Sequence, residues 1–208
     1  MSRARQREET RARILEAARR RFLGDGFEAT TVRAIAADVG MSVGSVMAVG
    51  DKRALLVAVL DAEIQQIQDA RAGRPLPTGP VLEQILHLLA PFLELFSAHA
   101  PLAREYGAVL MGAAHRSDVF GALGEALRRE LGEVLRAGDD GSAAAPAAVE
   151  DLADAVYFTY LGVLFAGAAR GGDPGPGMEA DLRRVLPPLL APTLSAVDDQ
   201  APVGKDRR

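Results

Sequence analysis

The fold of this chain is decided by residues 31–50, which read TVRAIAADVGMSVGSVMAVG. Thr31, or alternatively Thr30, can cap a short helix over about 32–39, and Gly40 breaks that helix. Ser42 can then cap a second short helix that extends to about residue 48. Two short helices around a glycine-containing turn have the spacing of a helix-turn-helix that reads DNA, and a simple helical hairpin fits the same spacing. The spacing alone leaves both interpretations open.

Helices are also predicted on both sides of this stretch. A helix over about 7–23 places Ile14, Ala18 and Phe22 on one face and ends near two glycines. After the stretch, an apolar stripe at spacings of four, four and three predicts a long helix over about 52–71. We therefore expect a three-helix head at the N-terminus, followed by a long helix that leaves it.

The rest of the chain shows the same helical spacing and no segment that favours a strand. The predicted fold is all-α, with a three-helix head, a C-terminal helical bundle and about nine helices in total. Two domains are expected: a DNA-binding domain over 1–51 and an effector-binding and dimerisation domain over 52–208, whose tail from about 197 is predicted to be disordered. A Gly/Pro linker covers 72–80, and further helices are predicted over 81–98, 101–112, 118–136, 147–170 and 179–195.

Charge is distributed unevenly along the chain, whose formal net charge is −4. Residues 1–56 hold 11 of the 24 Lys and Arg and 7 of the 28 Asp and Glu, so this part carries +4 and the remainder −8. Phosphate binding needs only a local basic surface. A basic head on an acidic body is therefore compatible with nucleic-acid binding, and a solvated charged surface is the other interpretation.

The chain has no cysteine, and its N-terminus is polar. Neither a disulfide, a thiolate metal site nor a secretory signal is expected, and a soluble cytoplasmic protein is the simplest interpretation. The segment Ala155–Ala169 is uncharged, but its fifteen residues are fewer than the roughly 20 that a membrane span needs. We expect a bundle or interface helix there.

A series of ordered motifs runs through the first quarter of the chain: Arg13-Ile14-Leu15, Ala17-Ala18, Phe22, Gly26-Phe27, Thr30-Thr31-Val32, Ile35-Ala36, Val39-Gly40-Met41-Ser42, Gly44-Ser45-Val46 and Lys52. Together these motifs resemble the signature of the TetR family of transcriptional regulators. The resemblance implies a head that binds operator DNA, C-terminal helices that form a homodimer and enclose an effector pocket, and a long helix that transmits pocket occupancy to the heads. We therefore expect a ligand-responsive bacterial repressor that binds a palindromic operator as a dimer.

The predicted DNA contacts lie in and around the second short helix. Small side chains near its start let the backbone come close to DNA, serine can contact base edges or phosphate, and valine can contact a thymine methyl group. The predicted DNA-binding residues are Thr31, Arg33, Ser42, Val43, Gly44, Ser45, Met47 and Lys52.

One segment departs from the family pattern. The family usually has an aromatic residue, often tyrosine, after the recognition helix and a phenylalanine before the lysine. Here Met47 and Val49 stand in those places, and the segment is one residue shorter. Loss of one neutral phosphate contact costs about 1 kcal/mol, so DNA binding is expected to be weaker. The alternative is a helical small-molecule-binding protein of the same fold with weak or lost DNA binding.

Aromatic residues are scarce, and those beyond the head fall on helices that the family uses for its pocket or interface. Ordinary core packing is the alternative role for each of them. Tyr106 and Tyr157 are the predicted polar anchors, because a buried hydroxyl needs a partner. A mostly apolar pocket predicts a lipophilic effector. The predicted ligand-binding residues are Phe92, Phe96, Tyr106, Met111, Tyr157 and Tyr160.

The last two predicted helices offer more apolar surface than a monomer needs. Gly162 and Ala166 would permit close helix approach, so we expect a twofold four-helix interface, with intramolecular packing as the alternative. The spacings of His87, His99 and His115 place no pair on one helical turn, which argues against a metal site. No catalytic or nucleotide-binding motif is found, so neither enzymatic activity nor a cofactor is expected.

Overall fold

The computed structural model describes residues 3–76, 78–112, 118–138, 146–170 and 175–194. Within these ranges the chain forms nine α-helices and no strand, which confirms the predicted all-α fold. Predicted and observed helix ends agree to within four residues. The helices are α1 (Arg3–Gly24), α2 (Val32–Val39), α3 (Val43–Met47), α4 (Lys52–Arg71), α5 (Val81–Ala98), α6 (Ala100–Met111), α7 (Asp118–Ala137), α8 (Pro146–Arg170) and α9 (Gly175–Leu194).

The head consists of α1, α2 and α3, which share a small apolar core. Ile14 and Phe22 of α1 are buried together with Ile35 of α2 and Val46 of α3. The predicted face of α1 is the face that packs on α2, because its apolar residues recur every three or four positions. Burial of this face sets the angle at which α2 and α3 stand on the supporting helix.

Local hydrogen bonds fix both starts of the helix-turn-helix, as the sequence predicts. The Thr31 hydroxyl oxygen accepts a hydrogen bond from the amide of Ala34, and the Ser42 hydroxyl oxygen accepts one from the amide of Ser45, each at 3.1 Å. Gly40 ends α2 at a φ of +65°, a left-handed conformation that glycine adopts without a steric penalty. The turn geometry therefore follows from residues that are close together in sequence.

Helix α4 connects the head to the bundle. Its 20 residues correspond to a length of about 30 Å. It packs on α1 in the head and on α6 and α7 in the bundle. Arg19 of α1 forms an ion pair with Glu63 of α4, and the Tyr106 hydroxyl of α6 donates a hydrogen bond to the carboxylate of Asp61. A displacement of α4 by the bundle would therefore reach the head directly.

The remaining helices form the bundle, in which α7 packs on α8, and α9 packs on both α5 and α8. Two helical segments, Val81–Ala98 and Ala147–Arg170, are long and apolar enough to cross a membrane by length and composition alone. In each segment, 39% of an 18-residue stretch is buried inside the bundle. Core helices of soluble proteins can be equally long and apolar, so these segments are weak evidence for a membrane span. The predicted disordered tail and His115 lie outside the described residues.

Candidate functional site

Helix α3 presents small and apolar side chains to solvent. Val43 and Met47 are 43% and 48% exposed, although large apolar side chains are usually buried. Gly44 and Ser45 are exposed as well, whereas Val46 is buried and fixes the helix on the head. The four exposed residues were all predicted to contact DNA, and the structure leaves each of them accessible.

The hydroxyls of Thr31 and Ser42 serve mainly to cap helices. Ser42 Oγ also lies 2.8 Å from Ser45 Oγ, so these two hydroxyls share a hydrogen bond. Each hydroxyl has one donor and two acceptor positions, and all three residues are exposed. A second partner outside the head can therefore still bond to them.

The two basic residues predicted near the helix-turn-helix differ in their surroundings. Arg33 on α2 is exposed and makes no ion pair with any described residue. Lys52 is half-buried, with Nζ 4.1 Å from the ring centroid of Phe27 and 3.5 Å from the carbonyl oxygen of Glu28. The ammonium group of Lys52 thus holds the start of α4 against the turn between α1 and α2.

A row of arginines on α1 lies next to α3. Arg3, Arg7 and Arg11 are spaced by four residues and exposed, so they follow one face of the helix. Together with Ser45 and Val49 they line a surface groove between α1 and the end of α3. The sequence interpretation gave these arginines no individual role, although their spacing was readable.

The shortened segment after α3 forms a tight turn. The amide of Val49 donates a hydrogen bond to the carbonyl oxygen of Val46 at 2.9 Å, and the Val49 side chain packs against the head core. A Cβ atom on Gly50 would lie 2.9 Å from Cβ of Ala54, closer than side chains normally approach. Gly50 therefore lets this segment pass close to the first turn of α4.

A mostly apolar cavity lies in the bundle between α4, α5, α7 and α8. Its enclosed space is about 40 Å³, and about 380 Å³ when the open solvent at its mouth is included. Four of the six predicted ligand-binding residues line it, namely Phe92, Phe96, Tyr157 and Tyr160. The other lining residues are Ile64, Gln68, Leu123, Gly124, Leu127, Leu161 and Leu164.

Two predicted ligand-binding residues, Tyr106 and Met111, do not line this cavity. The Tyr106 side chain is fully buried, and its hydroxyl donates a hydrogen bond to Oδ1 of Asp61 at 2.8 Å. Met111 stands at the end of α6 with 74% of its surface exposed. Tyr106 therefore joins α6 to α4, and Met111 lies on the surface.

The two tyrosines that do reach the cavity keep their protons at neutral pH. Burial raises the pKa of Tyr160 above its ordinary value, and the neighbouring Tyr157 acts in the same direction. Burial also raises the pKa of Tyr157, while the positive charge of Arg128, 5.6 Å from its ring, opposes that change. Both hydroxyls are therefore neutral and able to donate.

Two polar side chains at the cavity were not predicted. Gln68 lines it and is only 9% exposed, and Arg71 lies one turn further along α4. Among the described residues, nothing accepts a hydrogen bond from Nε2 of Gln68 or Nη1 of Arg71. A signal was present in the sequence, because Gln68 follows Ile64 by four residues and so stands on the apolar face of α4. Across the described ranges, no three His, Asp or Glu side chains are grouped so that they could hold a metal ion.

The head is also recognisable from its sequence. Residues 14–59 match the family model for bacterial regulatory proteins of the tetR family. The head is therefore similar in sequence to the segment that this family model describes. The match covers the second half of α1, both helices of the helix-turn-helix and the first turns of α4, so Met47 lies inside the matched segment. No curated protein sequence matches this one.

Solved structures of TetR-family proteins share the fold over most of the chain. A TetR-family transcriptional regulator from Pectobacterium atrosepticum has a TM-score of 0.67 at 24% identity, covering 91% of this chain and 96% of its own. FadR from Thermus thermophilus, a TetR-family transcriptional repressor in complex with lauroyl-CoA, has a TM-score of 0.60 at 21% identity, covering 93% of this chain and 100% of its own. At these identities the likeness is one of fold.

Proposed function

We propose that the protein is a transcriptional repressor of the TetR type, which binds a palindromic operator as a homodimer and is released by a small lipophilic effector. The observation that carries this proposal is the exposed face of α3 beside the arginine row of α1. Apolar side chains are exposed on a helix that is held rigidly by its caps, and basic side chains stand next to it. Such a surface suits a DNA groove and its flanking phosphates.

The proposed division of labour places DNA binding in residues 1–51 and effector binding and dimerisation in residues 52–208. In the head, α3 would enter the major groove, where Ser45 can contact base edges and Val43 can contact a thymine methyl group. Arg33 and the α1 arginines would contact phosphates on either side. Lys52 and Thr31 would contribute mainly by holding the head together, because their side chains already have partners there.

Dimerisation is proposed to use the outer face of α8 together with α9. Phe158 is 59% exposed, and Gly162 and Ala166 further along the same helix are also exposed. A face with an exposed aromatic ring and small residues one turn apart favours packing against a second copy of itself. Two heads held in this way would reach half-sites about 34 Å apart, or a multiple of that distance.

A lipophilic effector is proposed from the lining of the cavity, which is aromatic and aliphatic except for a few polar groups. The lauroyl-CoA bound by Thermus thermophilus FadR agrees with this class of ligand. Helix α4 contributes Ile64 and Gln68 to the cavity and also packs on α1. An effector that displaces α4 would therefore change the separation of the two heads, and the affinity for DNA would fall.

The proposal is tested by selecting bound DNA from a random pool and measuring affinity by mobility shift at several salt concentrations. Arg33→Ala is expected to weaken binding several-fold and to reduce the slope of log affinity against log salt by about one, because one phosphate contact is lost. Arg129→Ala is the matched control, since Arg129 is exposed on α7 in the bundle. Absence of any DNA binding at low salt would contradict the proposal.

A second candidate is a cytoplasmic, non-enzymatic small-molecule-binding protein of the same fold with weak or lost DNA binding. Met47 favours it, because a methionine side chain cannot donate a hydrogen bond to phosphate. The two candidates differ in one measurement. Tight binding of a small molecule without measurable affinity for selected DNA would favour the second.

A further inference from the structure

Two buried N–H groups on α4 have no acceptor among the residues that the structure describes. They are Nε2 of Gln68 and Nη1 of Arg71. The two residues are separated by three positions, so their side chains leave the same face of the helix. Buried polar groups are almost always hydrogen-bonded in folded proteins, because an unmade bond is costly. Two such donors close together therefore indicate that an acceptor from outside the chain belongs at this point.

The surroundings of these donors define where that acceptor would lie. Gln68 lines the apolar cavity, and the guanidinium of Arg71 lies 5.6 Å from the ring centroid of Phe92, which also lines it. Arg71 also borders a larger groove, whose charged lining residues are Arg74, Glu94, Glu130 and Glu133. Gln68 thus faces the apolar cavity, and Arg71 stands between Phe92 of that cavity and the neighbouring groove.

The charges around Arg71 indicate which chemical groups can serve as the acceptor. Nη2 of Arg71 forms an ion pair with Glu130, so the guanidinium charge is already balanced while Nη1 remains without an acceptor. A neutral carbonyl oxygen would satisfy Nη1 and Nε2 without adding charge, and a carboxylate would satisfy them through charge-assisted bonds. A cationic head group offers no acceptor to either donor.

We infer that the effector is an amphiphile with an apolar body in the cavity and a carbonyl or carboxylate oxygen that accepts hydrogen bonds from Gln68 and Arg71. This inference rests on the proposed function only in taking the cavity as the effector site. The aromatic and aliphatic lining holds the body, and the two donors fix its polar end. Because both donors belong to α4, the polar end of the effector bonds to the same helix that packs on α1 in the DNA-binding head.

The inference is tested with three probes of equal chain length: decanoate, methyl decanoate and decyltrimethylammonium. Binding to the full-length protein is measured by titration calorimetry. We expect decanoate and methyl decanoate to bind and the ammonium compound to bind at least tenfold more weakly, because it lacks an acceptor. A preference for decanoate over its methyl ester would identify a carboxylate head, and equal affinity would identify the carbonyl oxygen. Equal or tighter binding of the ammonium compound would overturn the inference.

Gln68→Leu is the decisive variant, because leucine has a similar size and no donor. It is expected to weaken decanoate and methyl decanoate by about tenfold and to raise the melting temperature, since a buried amide without an acceptor is removed. Gln66→Leu, at an exposed position of the same helix, should change neither affinity. If Gln68→Leu lowers the melting temperature and leaves both affinities unchanged, the amide oxygen of Gln68 bonds to Arg71 internally and the inference fails.

The same experiment separates this inference from the proposed function. Release of selected DNA by a compound without any acceptor oxygen would support the repressor and overturn the amphiphile. Gln68-dependent binding of decanoate by a protein that binds no DNA would support the amphiphile and contradict the repressor.

Discussion

At the scale of single residues, the hydrogen bond between Asp61 and Tyr106 is a buried polar contact that joins α4 to α6. Asp61 is a buried carboxylate on α4, and Tyr106 donates to it from α6 at 2.8 Å. A buried charge is tolerated only when hydrogen bonds replace its lost hydration. The pair therefore holds the middle of α4 against the bundle, between the head and the cavity.

Replacing Tyr106 by phenylalanine is expected to lower the free energy of unfolding by about 2 kcal/mol, because a hydrogen bond to a buried carboxylate is lost. Urea denaturation followed by circular dichroism measures the change. Tyr157→Phe removes the same atom from a hydroxyl that lies near Gly124 rather than against a carboxylate, and should have a smaller effect. Equal effects of the two substitutions would show that the bond to Asp61 contributes nothing particular to stability.

At the scale of helices, the contact between α6 and α8 depends on a glycine. Gly107 is buried, and a Cβ atom there would lie 2.8 Å from the ring of Phe165 on α8. Gly121 on α7 is exposed and has no atom within 4 Å of the corresponding point. Gly107 therefore faces a neighbouring helix, whereas Gly121 faces solvent.

Gly107→Ala is expected to destabilise the protein by about 1–3 kcal/mol, because the added methyl group forces α6 and α8 apart. Gly121→Ala should stabilise it by up to about 1 kcal/mol through helix propensity. Thermal unfolding of both variants checks the pair. A stabilised Gly107→Ala variant would mean that the Phe165 ring moves aside freely.

Ion pairs between helices also contribute to the stability of the folded state, and this contribution depends on pH. The Arg183 guanidinium of α9 holds the pKa of the Glu83 carboxyl on α5 below its ordinary value of 4.5, with Nη2 of Arg183 3.0 Å from a carboxylate oxygen. As the pH falls, the unfolded chain takes up this proton first. The contribution of the pair is therefore complete above pH 4.5 and is lost as the pH falls through the lower pKa of the folded state.

Glu83→Gln should flatten the acid limb of the stability curve below about pH 5, because glutamine has no proton to gain there. The urea midpoint at pH 7, 5, 4 and 3 is the measurement. Glu94→Gln, at an exposed position of the same helix, is the control. Since Glu83 and Arg183 are exposed, little change is expected at pH 7. A curve for Glu83→Gln that is parallel to that of the unmodified protein would exclude a role of this pair in acid stability.

At the scale of the whole molecule, DNA recognition is proposed to require two copies of the chain. Phe158→Arg places a charge in the middle of the exposed apolar face of α8, and a charge there cannot be buried without a partner. We expect light scattering to report a monomer at micromolar concentration. The affinity for a full palindromic site should then fall roughly hundredfold, because the two heads no longer bind together.

Gln66→Arg adds the same charge on the exposed side of α4 and should leave both the assembly and the DNA affinity unchanged. A Phe158→Arg protein that stays dimeric would move the proposed interface to another face. A monomer that keeps full affinity would instead contradict the proposed binding of a palindrome by two heads.

The positions of the helices and the pattern of the head follow from interactions between residues that are close together in the chain. Caps such as those of Thr31 and Ser42 join residues three positions apart, and an apolar stripe repeats within one helix. These interactions are local, so they can be read without knowing the fold, and so could the arginine spacing on α1. The matched segment of the TetR family consists largely of such local features.

Which side chains contact each other depends on how the helices pack. Tyr106 and Tyr157 stand in similarly apolar helices, yet one bonds to a carboxylate 45 residues away and the other lines the cavity. Met111 is exposed, while Gln68, which no motif marks, lines the cavity and Arg71 lies beside Phe92. Helical periodicity gives the direction of a side chain relative to its own helix. What lies in that direction depends on how distant helices pack, and a pattern within one helix holds no information about its neighbours.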